Sequence, residues 1–230
     1  MIFNVFKSKP TLKELIPKGF VDIHSHILPG IDDGAKNMEE SLSLIQKMKD
    51  IGFSKIIGTP HTYPGLYNNS NESIEKSFKS IKNNGIDGVK VSYASEYMLD
   101  TYLISKARNN NLICLKDKYV LVEMSYLSAP ENLYEIIFEL KVNRYIPVLA
   151  HPERYMFLKK NFNEYYKLKK FGCYFQLNLL SATNFYGQET TKILDKLLKR
   201  ELIDFVGSDI HKPSHIIGFE KKLKINNIKS

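Results

Sequence analysis

The chain has 230 residues, 43% of them hydrophobic, so it can bury one good core and is about the size of a single α/β barrel domain. Its two cysteines, Cys114 and Cys173, cannot form a disulfide framework, and no apolar run is long enough to span a bilayer. The formal net charge of +8 is spread over lysines interleaved with Glu and Asn, which favours a solvated surface over a nucleic-acid interface.

The opening ten residues are too short for a secretory leader and lack a small-residue cleavage site, so we expect a cytoplasmic protein. Residues 1–18 are predicted to form an N-terminal extension, in which the apolar positions of 11–18 favour a short helix or turn packed on the domain. Residues 19–230 are predicted to form one domain.

Strands and helices alternate from the first strand onward. Asn37 and Glu40 form a helix-capping pattern, and the apolar spacing over 38–51 predicts a helix that Gly52 ends. Further strands are predicted near 54–59, 89–95, 119–123, 146–150, 173–179 and 204–208, and further helices over 72–83, 98–109, 130–142, 162–171 and 188–200. About seven strand–helix units predict a parallel sheet or barrel.

Seven predicted strands end in potential metal ligands. These residues are His24, His26, His61, Glu96, Glu123, His151, Gln176 (the weakest case), Asp209 and His211. Because the carboxyl ends of parallel strands lie on one face, residues scattered along the chain would converge there. Five of the six histidines sit at these ends, whereas a core histidine more often lies within a strand or on a helix face.

The pair His24 and His26 can reach one metal, because residues two apart on a strand face the same side. Alone, such a pair is a weak signal, since one surface and one packed histidine would look the same. The loop that follows carries Asp32, Asp33 and Gly34. Turn formation or helix capping is the favoured role for Asp32, and metal ligation for Asp33.

Glu96 and Glu123 each follow an apolar run, where an unpaired carboxylate would be costly. A metal cluster would neutralise them, and salt bridges to lysine are the alternative. Imidazole and carboxylate ligands suit Zn²⁺, Mn²⁺ or Fe²⁺, while the absence of thiolate ligands argues against a structural zinc site.

The motifs together resemble those of the polymerase and histidinol phosphatase (PHP) superfamily, and within it the capsule-type bacterial protein-tyrosine phosphatases, the CpsB/CapC-like group. The resemblance covers about residues 19–215. It rests on His24-x-His26, Asp32-Asp33-Gly34, Thr59-Pro60-His61, Glu96, Glu123, His151-Pro-Glu-Arg154-Tyr155 and Ser208-Asp209-Ile-His211.

The resemblance implies a distorted (β/α)₇ TIM-like barrel, the PHP fold, with three divalent metals, manganese or iron, zinc being possible. By position, the first metal would be held by His24, His26 and Asp209, the second by Glu123 and His151 with Glu96 bridging the two, and the third by Asp33, His61 and His211. Arg154 matches the arginine that grips the substrate phosphate, a surface salt bridge such as one with Glu153 being the alternative. A second arginine common in the group is absent here, and Lys212 and His215 are the candidates to replace it.

The implied activity is a metal-dependent protein-tyrosine phosphatase. Neither cysteine has the downstream arginine of a cysteine-based phosphatase, and no glycine-rich nucleotide loop is present. Six side chains could receive a tyrosyl ring: Tyr63, Leu66, Tyr67, Tyr126, Tyr155 and Phe185. Ordinary packing is the favoured explanation for each of them taken singly.

The implied partner is a phosphotyrosyl protein, the tyrosine-rich tail of a membrane-linked kinase that regulates capsular or exopolysaccharide synthesis. The phosphatase itself would have no transmembrane segment and bind no nucleic acid. Two alternatives stay open: a small-molecule phosphatase of the histidinol-phosphate type, and a non-catalytic barrel that keeps its metals and binds a partner.

Overall fold

The computed structural model describes residues 8–83 and 87–227, so the first seven residues of the predicted extension and the last three of the basic tail lie outside the described residues. The strands are β1 (Phe20–Ser25), β2 (Phe53–Gly58), β3 (His61–Thr62), β4 (Lys90–Tyr93), β5 (Glu96–Met98), β6 (Tyr119–Glu123), β7 (Ile146–Ala150), β8 (Tyr174–Asn178) and β9 (Phe205–Gly207). The helices are α1 (Met38–Ile51), α2 (Asn71–Asn83), α3 (Thr101–Arg108), α4 (Leu133–Val142), α5 (Met156–Lys160), α6 (Asn163–Lys170), α7 (Gln188–Lys199) and α8 (Pro213–Gly218). Short 3₁₀ turns occupy Lys13–Leu15, Pro152–Arg154 and Leu179–Thr183.

All strand pairs are parallel, and they form a three-stranded sheet, β1-β2-β4, and a six-stranded sheet, β3-β5-β6-β7-β8-β9. Two residues separate β2 from β3, and two separate β4 from β5. Each of these pairs is one interrupted strand, or stave, of the barrel, and it begins in the three-stranded sheet and ends in the six-stranded one. The ring closes where the Asp209 N–H donates to the His24 carbonyl (2.7 Å) and the His26 N–H to the Ile210 carbonyl (2.9 Å). The predicted distorted (β/α)₇ barrel is therefore confirmed.

The predicted strand at 89–95 is interrupted, because β4 ends at Tyr93 and β5 begins at Glu96. Pro60, which has no N–H to donate, interrupts the neighbouring stave at the same level. Helices α5 and α8 were not predicted, since five or six residues are too few to show a helical period. The capping pattern is confirmed: the Glu40 N–H donates to the Asn37 side chain at 2.9 Å.

Two apolar clusters form most of the core. One joins β6–β8 to α3, α4 and α6, and the other joins β1 and β2 to α1, α7 and the tail. Each fully buried Leu or Ile stabilises the fold by ~1.5–3 kcal/mol. Cys173 is buried and Cys114 half-buried within the first cluster, as expected for ordinary packing residues.

The interior of the barrel changes from apolar to polar along its strands. Leu121 packs with Val148 and Ala150 in a small central cluster. Glu123 is two residues further along β6 and therefore shares a strand face with Leu121. The apolar layer thus supports the carboxylate from below.

The N-terminal segment packs on the domain through Leu12, which is buried and whose N–H donates to the Lys221 carbonyl (3.0 Å). A boundary at residue 18 stays a prediction. Within residues 8–83 and 87–227, none of the helices combines the length and the apolar character needed to cross a membrane.

Candidate metal centre

All nine residues predicted as metal ligands meet at the carboxyl ends of the strands. They fall into four overlapping groups, in each of which the ligand atoms lie within 4.8 Å of one another. The groups are His26, Asp33, His61 and His211; His24, His151 and Asp209; His24, His26 and Glu96; and His61, Glu96 and Glu123.

Glu96 lies at the middle of the cluster and is completely buried. Its Oε2 lies 3.2 Å from His24 Nε2, 3.3 Å from His26 Nε2 and 3.2 Å from His61 Nδ1. Its Oε1 faces His151 Nε2 at 3.2 Å. The two oxygens therefore point toward different sets of imidazoles, which is the arrangement a bridging ligand requires.

Three side-chain or backbone oxygens orient the imidazoles from outside the cluster. Asp32 Oδ2 lies 2.7 Å from His26 Nδ1, Gln176 Oε1 lies 2.7 Å from His24 Nδ1, and the Asp209 carbonyl lies 2.9 Å from His211 Nδ1. Each contact makes Nδ1 the N–H donor and leaves Nε2 free as a ligand atom. Gln176, the weakest of the strand-end candidates, thus positions a ligand.

Asp32 combines the predicted turn role with a second role that the sequence did not reveal. Its Oδ1 accepts the Gly34 N–H at 2.9 Å, which fixes the turn, while its Oδ2 holds His26 and accepts the His61 N–H at 3.2 Å. Gly34 is required at this turn, because a Cβ there would lie 2.0 Å from the His26 carbonyl oxygen.

Backbone strain accompanies two of the candidate ligands. His151 and Asp209 adopt left-handed conformations, with φ of 34° and 53°.

A buried aspartate, Asp22, supports the segment that leads to Asp209. It accepts the Ser208 N–H at 2.8 Å and also the Ser208 hydroxyl, and so connects β1 to the end of β9. Burial raises the pKa of Asp22 to about 6.

The buried ionisable groups of the cluster shift one another's pKa values strongly. Burial opposes ionisation of Asp209 and Glu96, yet the surrounding imidazoles, His24 first, hold the pKa of both well below the usual range. Burial and the charge of Glu96 raise the pKa of Glu123. Despite burial and the repulsion of His26, the carboxylates raise the pKa of His61 to about 9.

The described residues also leave buried polar atoms in the cluster without a hydrogen bond of good geometry: Glu96 Oε1, His61 Nδ1 and His151 Nδ1. Buried polar atoms are normally satisfied, so these atoms call for a missing partner. Oxygen and imidazole donors, several of them ionised, fit divalent zinc, manganese or iron.

A cleft of about 720 Å³ opens onto the cluster. Arg154 lines it, with its side chain 19% exposed, and Arg154 Nη1 donates to Asp209 Oδ2 at 2.7 Å. Glu153, by contrast, is buried and accepts from the Ser181 hydroxyl (2.7 Å) and the Asn178 N–H (2.9 Å). The alternative of a surface salt bridge between Arg154 and Glu153 is therefore wrong.

Five of the six expected rim side chains line the cleft: Tyr63, Leu66, Tyr67, Tyr126 and Phe185. The sixth, Tyr155, was wrongly placed there, because it is fully buried and its hydroxyl accepts the Met124 N–H at 3.1 Å. Tyr186 also lines the cleft and was missed, since its position depends on the 3₁₀ turn before it.

Both candidates for the second phosphate-binding residue lie at the cleft, and their role stays a prediction. Lys212 is exposed there. His215 is buried, with Nδ1 lying 3.1 Å from the Asp209 carbonyl and 3.2 Å from the His211 N–H. Burial and then His211 lower the pKa of His215 to about 4.

Comparison with known proteins gives a consistent set of relatives. Tyrosine-protein phosphatase CpsB of Streptococcus pneumoniae is 30% identical over 201 residues, which cover 83% of this chain and 82% of that protein. Tyrosine-protein phosphatase YwqE of Bacillus subtilis is 29% identical over 195 residues, covering 83% and 77% respectively.

Among solved structures, the fold matches one from a study of YwqE of Bacillus subtilis and CpsB of Streptococcus pneumoniae, described there as unique metal-dependent tyrosine phosphatases. The TM-score is 0.76 at 29% identity, with 86% of this chain and 81% of that chain covered. Residues 20–216 match the family model "Capsular polysaccharide synthesis, CpsB/CapC". The chain therefore belongs to the CpsB/CapC family.

Proposed function

We propose that the protein is a metal-dependent protein-tyrosine phosphatase, a phosphoric monoester hydrolase. The observation that carries the proposal is the convergence of nine imidazole and carboxylate ligands at the floor of one cleft, with Arg154 on its wall. The relatives named tyrosine-protein phosphatases cover most of the chain and support the same activity.

We propose three divalent metals, manganese or iron, with zinc as the alternative. His24, His26 and Asp209 would hold the first, Glu123 and His151 the second with Glu96 bridging, and Asp33, His61 and His211 the third. The grouping supports the third set most directly; His151 groups with His24 and Asp209, so its assignment to the second metal depends on Glu96. Metals held there would lower the pKa of water and neutralise phosphoryl charge.

The chain's own residues would bind and orient the substrate. The Arg154 guanidinium, a planar donor fork, would hold the phosphate at the cleft wall. The aromatic side chains Tyr63, Tyr67 and Tyr126 would contact the tyrosyl ring. Since tyrosine ionises near pKa ~10, its oxygen leaves with less proton assistance than an aliphatic alcohol would need.

Cysteine chemistry has no place in this proposal. Burial raises the pKa of Cys114 to about 11 and that of Cys173 to about 12. A nucleophilic cysteine needs a lowered pKa, because the thiolate is the reactive form.

We further propose that the substrate is a phosphotyrosyl protein, and specifically a membrane-linked tyrosine kinase that regulates capsular polysaccharide synthesis. The family's link to capsular polysaccharide synthesis supports the choice. The phosphatase would act in the cytoplasm, where ATP-dependent tyrosine phosphorylation takes place.

The test compares a phosphotyrosyl peptide, histidinol phosphate and a phosphoserine peptide, each with Mn²⁺ and with a strong chelator. We expect turnover of the phosphotyrosyl peptide that the chelator abolishes and Mn²⁺ or Fe²⁺ restores. Preference for histidinol phosphate would favour the small-molecule alternative, and binding of the peptide without turnover would favour the non-catalytic one. Elemental analysis with at most one metal in fully active protein would contradict the metal cluster.

A further inference from the structure

Three neighbouring side chains contact the guanidinium of Arg154. Its guanidinium carbon lies 4.7 Å from the centre of the Tyr126 ring and 4.1 Å from the centre of the Tyr186 ring. Its Nη1 donates to Asp209 Oδ2. Aromatic faces therefore flank the guanidinium while a carboxylate fixes one of its edges.

Asn178 joins Tyr186 and Asp209 through one amide nitrogen. Its Nδ2 donates to Asp209 Oδ2 at 2.8 Å and to the Tyr186 hydroxyl at 3.2 Å. Its Oδ1 accepts the Leu180 N–H at 2.9 Å, which fixes the orientation of the amide. Tyr186 is thus tied to the same carboxylate oxygen that Arg154 contacts.

The two oxygens of Asp209 consequently have separate tasks. Oδ1 faces the imidazoles at distances of 3.3 Å to His24 and 3.4 Å to His26. Oδ2 is occupied by Arg154 and Asn178. Oδ1 is therefore the oxygen of Asp209 that can bind a metal. The N–H groups of Arg154 other than the one bound to Asp209 can bind a phosphate in the cleft.

We propose that Tyr126 and Tyr186 are positioning residues that hold the Arg154 guanidinium between Asp209 and the substrate phosphate. The inference rests on the proposed phosphatase function and adds the device that keeps its phosphate clamp in place. Arginine has several rotatable bonds, so an unrestrained side chain would lose conformational entropy each time it bound phosphate. The two rings remove that cost before the substrate arrives.

Tyr186 is the cleaner position to change, because Tyr126 also lies 5.6 Å from the His151 ring. We expect Tyr186→Leu to lower kcat/KM for a phosphotyrosyl peptide by about tenfold, through a higher KM, with normal metal content. Tyr186→Phe keeps the ring and should stay within about threefold of the wild type. Tyr102→Leu is the matched control, since Tyr102 is an exposed tyrosine of α3 that does not contribute to the cleft lining.

A double-variant comparison separates positioning from general damage. In an Arg154→Lys background, Tyr186→Leu should cause no further loss, because the planar fork that the ring holds is already gone. Equal losses for Tyr186→Phe and Tyr186→Leu would contradict the proposal, as would a Tyr186→Leu effect that adds fully to that of Arg154→Lys. If Tyr186→Leu does not fold, Tyr186→Met, which also removes the ring but keeps more of the side-chain volume, carries the same comparison.

A spectroscopic measurement makes the result independent of turnover. The chain has four arginines, so side-chain Nε–H signals in a ¹⁵N NMR spectrum of the zinc-loaded protein can be assigned by substitution. The Arg154 proton should be shifted by the ring currents and exchange slowly, and Tyr186→Leu should reduce both effects, leaving the contribution of Tyr126. An unchanged Arg154 signal in Tyr186→Leu would contradict the proposal that the Tyr186 ring holds the Arg154 guanidinium. A wild type that shows the shifted signal but hydrolyses no phosphotyrosyl peptide would instead overturn the proposed function.

Discussion

The nine candidate ligands form the floor of the cleft, and Arg154 with its neighbours Tyr126, Tyr186, Lys212 and His215 forms its wall. The two regions are built in opposite ways. On the floor, nine candidate ligands from six of the seven staves share contacts, so that Glu96 alone faces four imidazoles. On the wall, Arg154 is the arginine that lines the cleft, and the other basic side chains there are Lys212 and His215. The floor is densely connected and, apart from the exposed Asp33, mostly buried, whereas the wall depends on one side chain and the groups that hold it.

This difference has a structural origin: the barrel strands position the candidate metal ligands, whereas the loops position the residues that line the cleft. Strand ends fix the positions of the ligands to within hydrogen-bonding distance of one another, because the ladder and the apolar layer beneath leave them little freedom. The wall is formed by 3₁₀ turns and loops after β3, β6, β7, β8 and β9. Substitutions on the floor should therefore remove metal, and substitutions on the wall should change substrate binding with the metals in place.

The largest effect is expected from Glu96→Ala. Removing the carboxylate that faces four imidazoles leaves those buried groups without a common anion, so metal and activity should be lost together. The loss should exceed the ~10–100-fold typical of losing an outer hydrogen-bond partner of a ligand. Elemental analysis and phosphotyrosyl-peptide turnover on the same sample measure both. Full metal content in this variant would show that the cluster does not depend on its central carboxylate.

A smaller effect is expected from Asp32→Ala, which keeps every ligand but frees the His26 ring. Metal affinity should fall by ~10–100-fold, as for other outer-shell partners. Isothermal titration of the metal-free protein with Mn²⁺ measures the change. Asp33→Asn is the neighbouring comparison, and it should weaken only the third metal site. Loss of a whole metal from Asp32→Ala, with Asp33→Asn unchanged, would reverse the roles assigned to the two aspartates.

Replacing Arg154 tests the wall directly. Arg154→Lys keeps the charge but loses the planar fork, so turnover should fall by roughly tenfold or more while metal content stays normal, corresponding to ~1.5–3 kcal/mol for one charge-assisted contact. Arg154→Ala should be more severe. Glu123→Ala, a floor variant, should lose metal and activity together. Loss of metal from Arg154→Lys would mean that its contact with Asp209, not the phosphate, is its main task.

Much of the floor could be predicted from the sequence, while much of the wall could not. His24, His26 and His61 follow apolar runs, and in a parallel barrel that position alone brings them together. Tyr186 and Tyr155 could not be distinguished, because nothing in a linear pattern tells which of two aromatic residues after a strand turns inward. The role of Gln176 was also beyond the sequence, because a polar residue at the end of a strand can either be a ligand or orient one.

The second phosphate-binding residue is a further place where the wall can be tested. The Nδ1 of His215 is directed at the backbone of Asp209 and His211, so His215→Ala should disturb the loop and lower turnover less than Arg154→Ala. Lys212 is the exposed cation, and Lys212→Ala should raise KM by a few-fold, as expected for a screened surface charge. Steady-state kinetics at low and high salt measure both. A His215→Ala variant as impaired as Arg154→Ala would identify His215 as the replacement for the second arginine.

The smallest effect is expected from thiol modification. Cys114 and Cys173 both have pKa values raised by burial, so little thiolate is present at neutral pH, and neither contributes to the lining of the cleft. Iodoacetamide should leave turnover unchanged, with mass spectrometry reporting how much of each cysteine has reacted. Where alkylation of the buried Cys173 does occur, it should lower the melting temperature before it lowers activity, because the added group has to enter the apolar cluster. Activity that falls in proportion to alkylation of folded, metal-loaded protein would contradict both the floor as the site of chemistry and the separation of floor from wall.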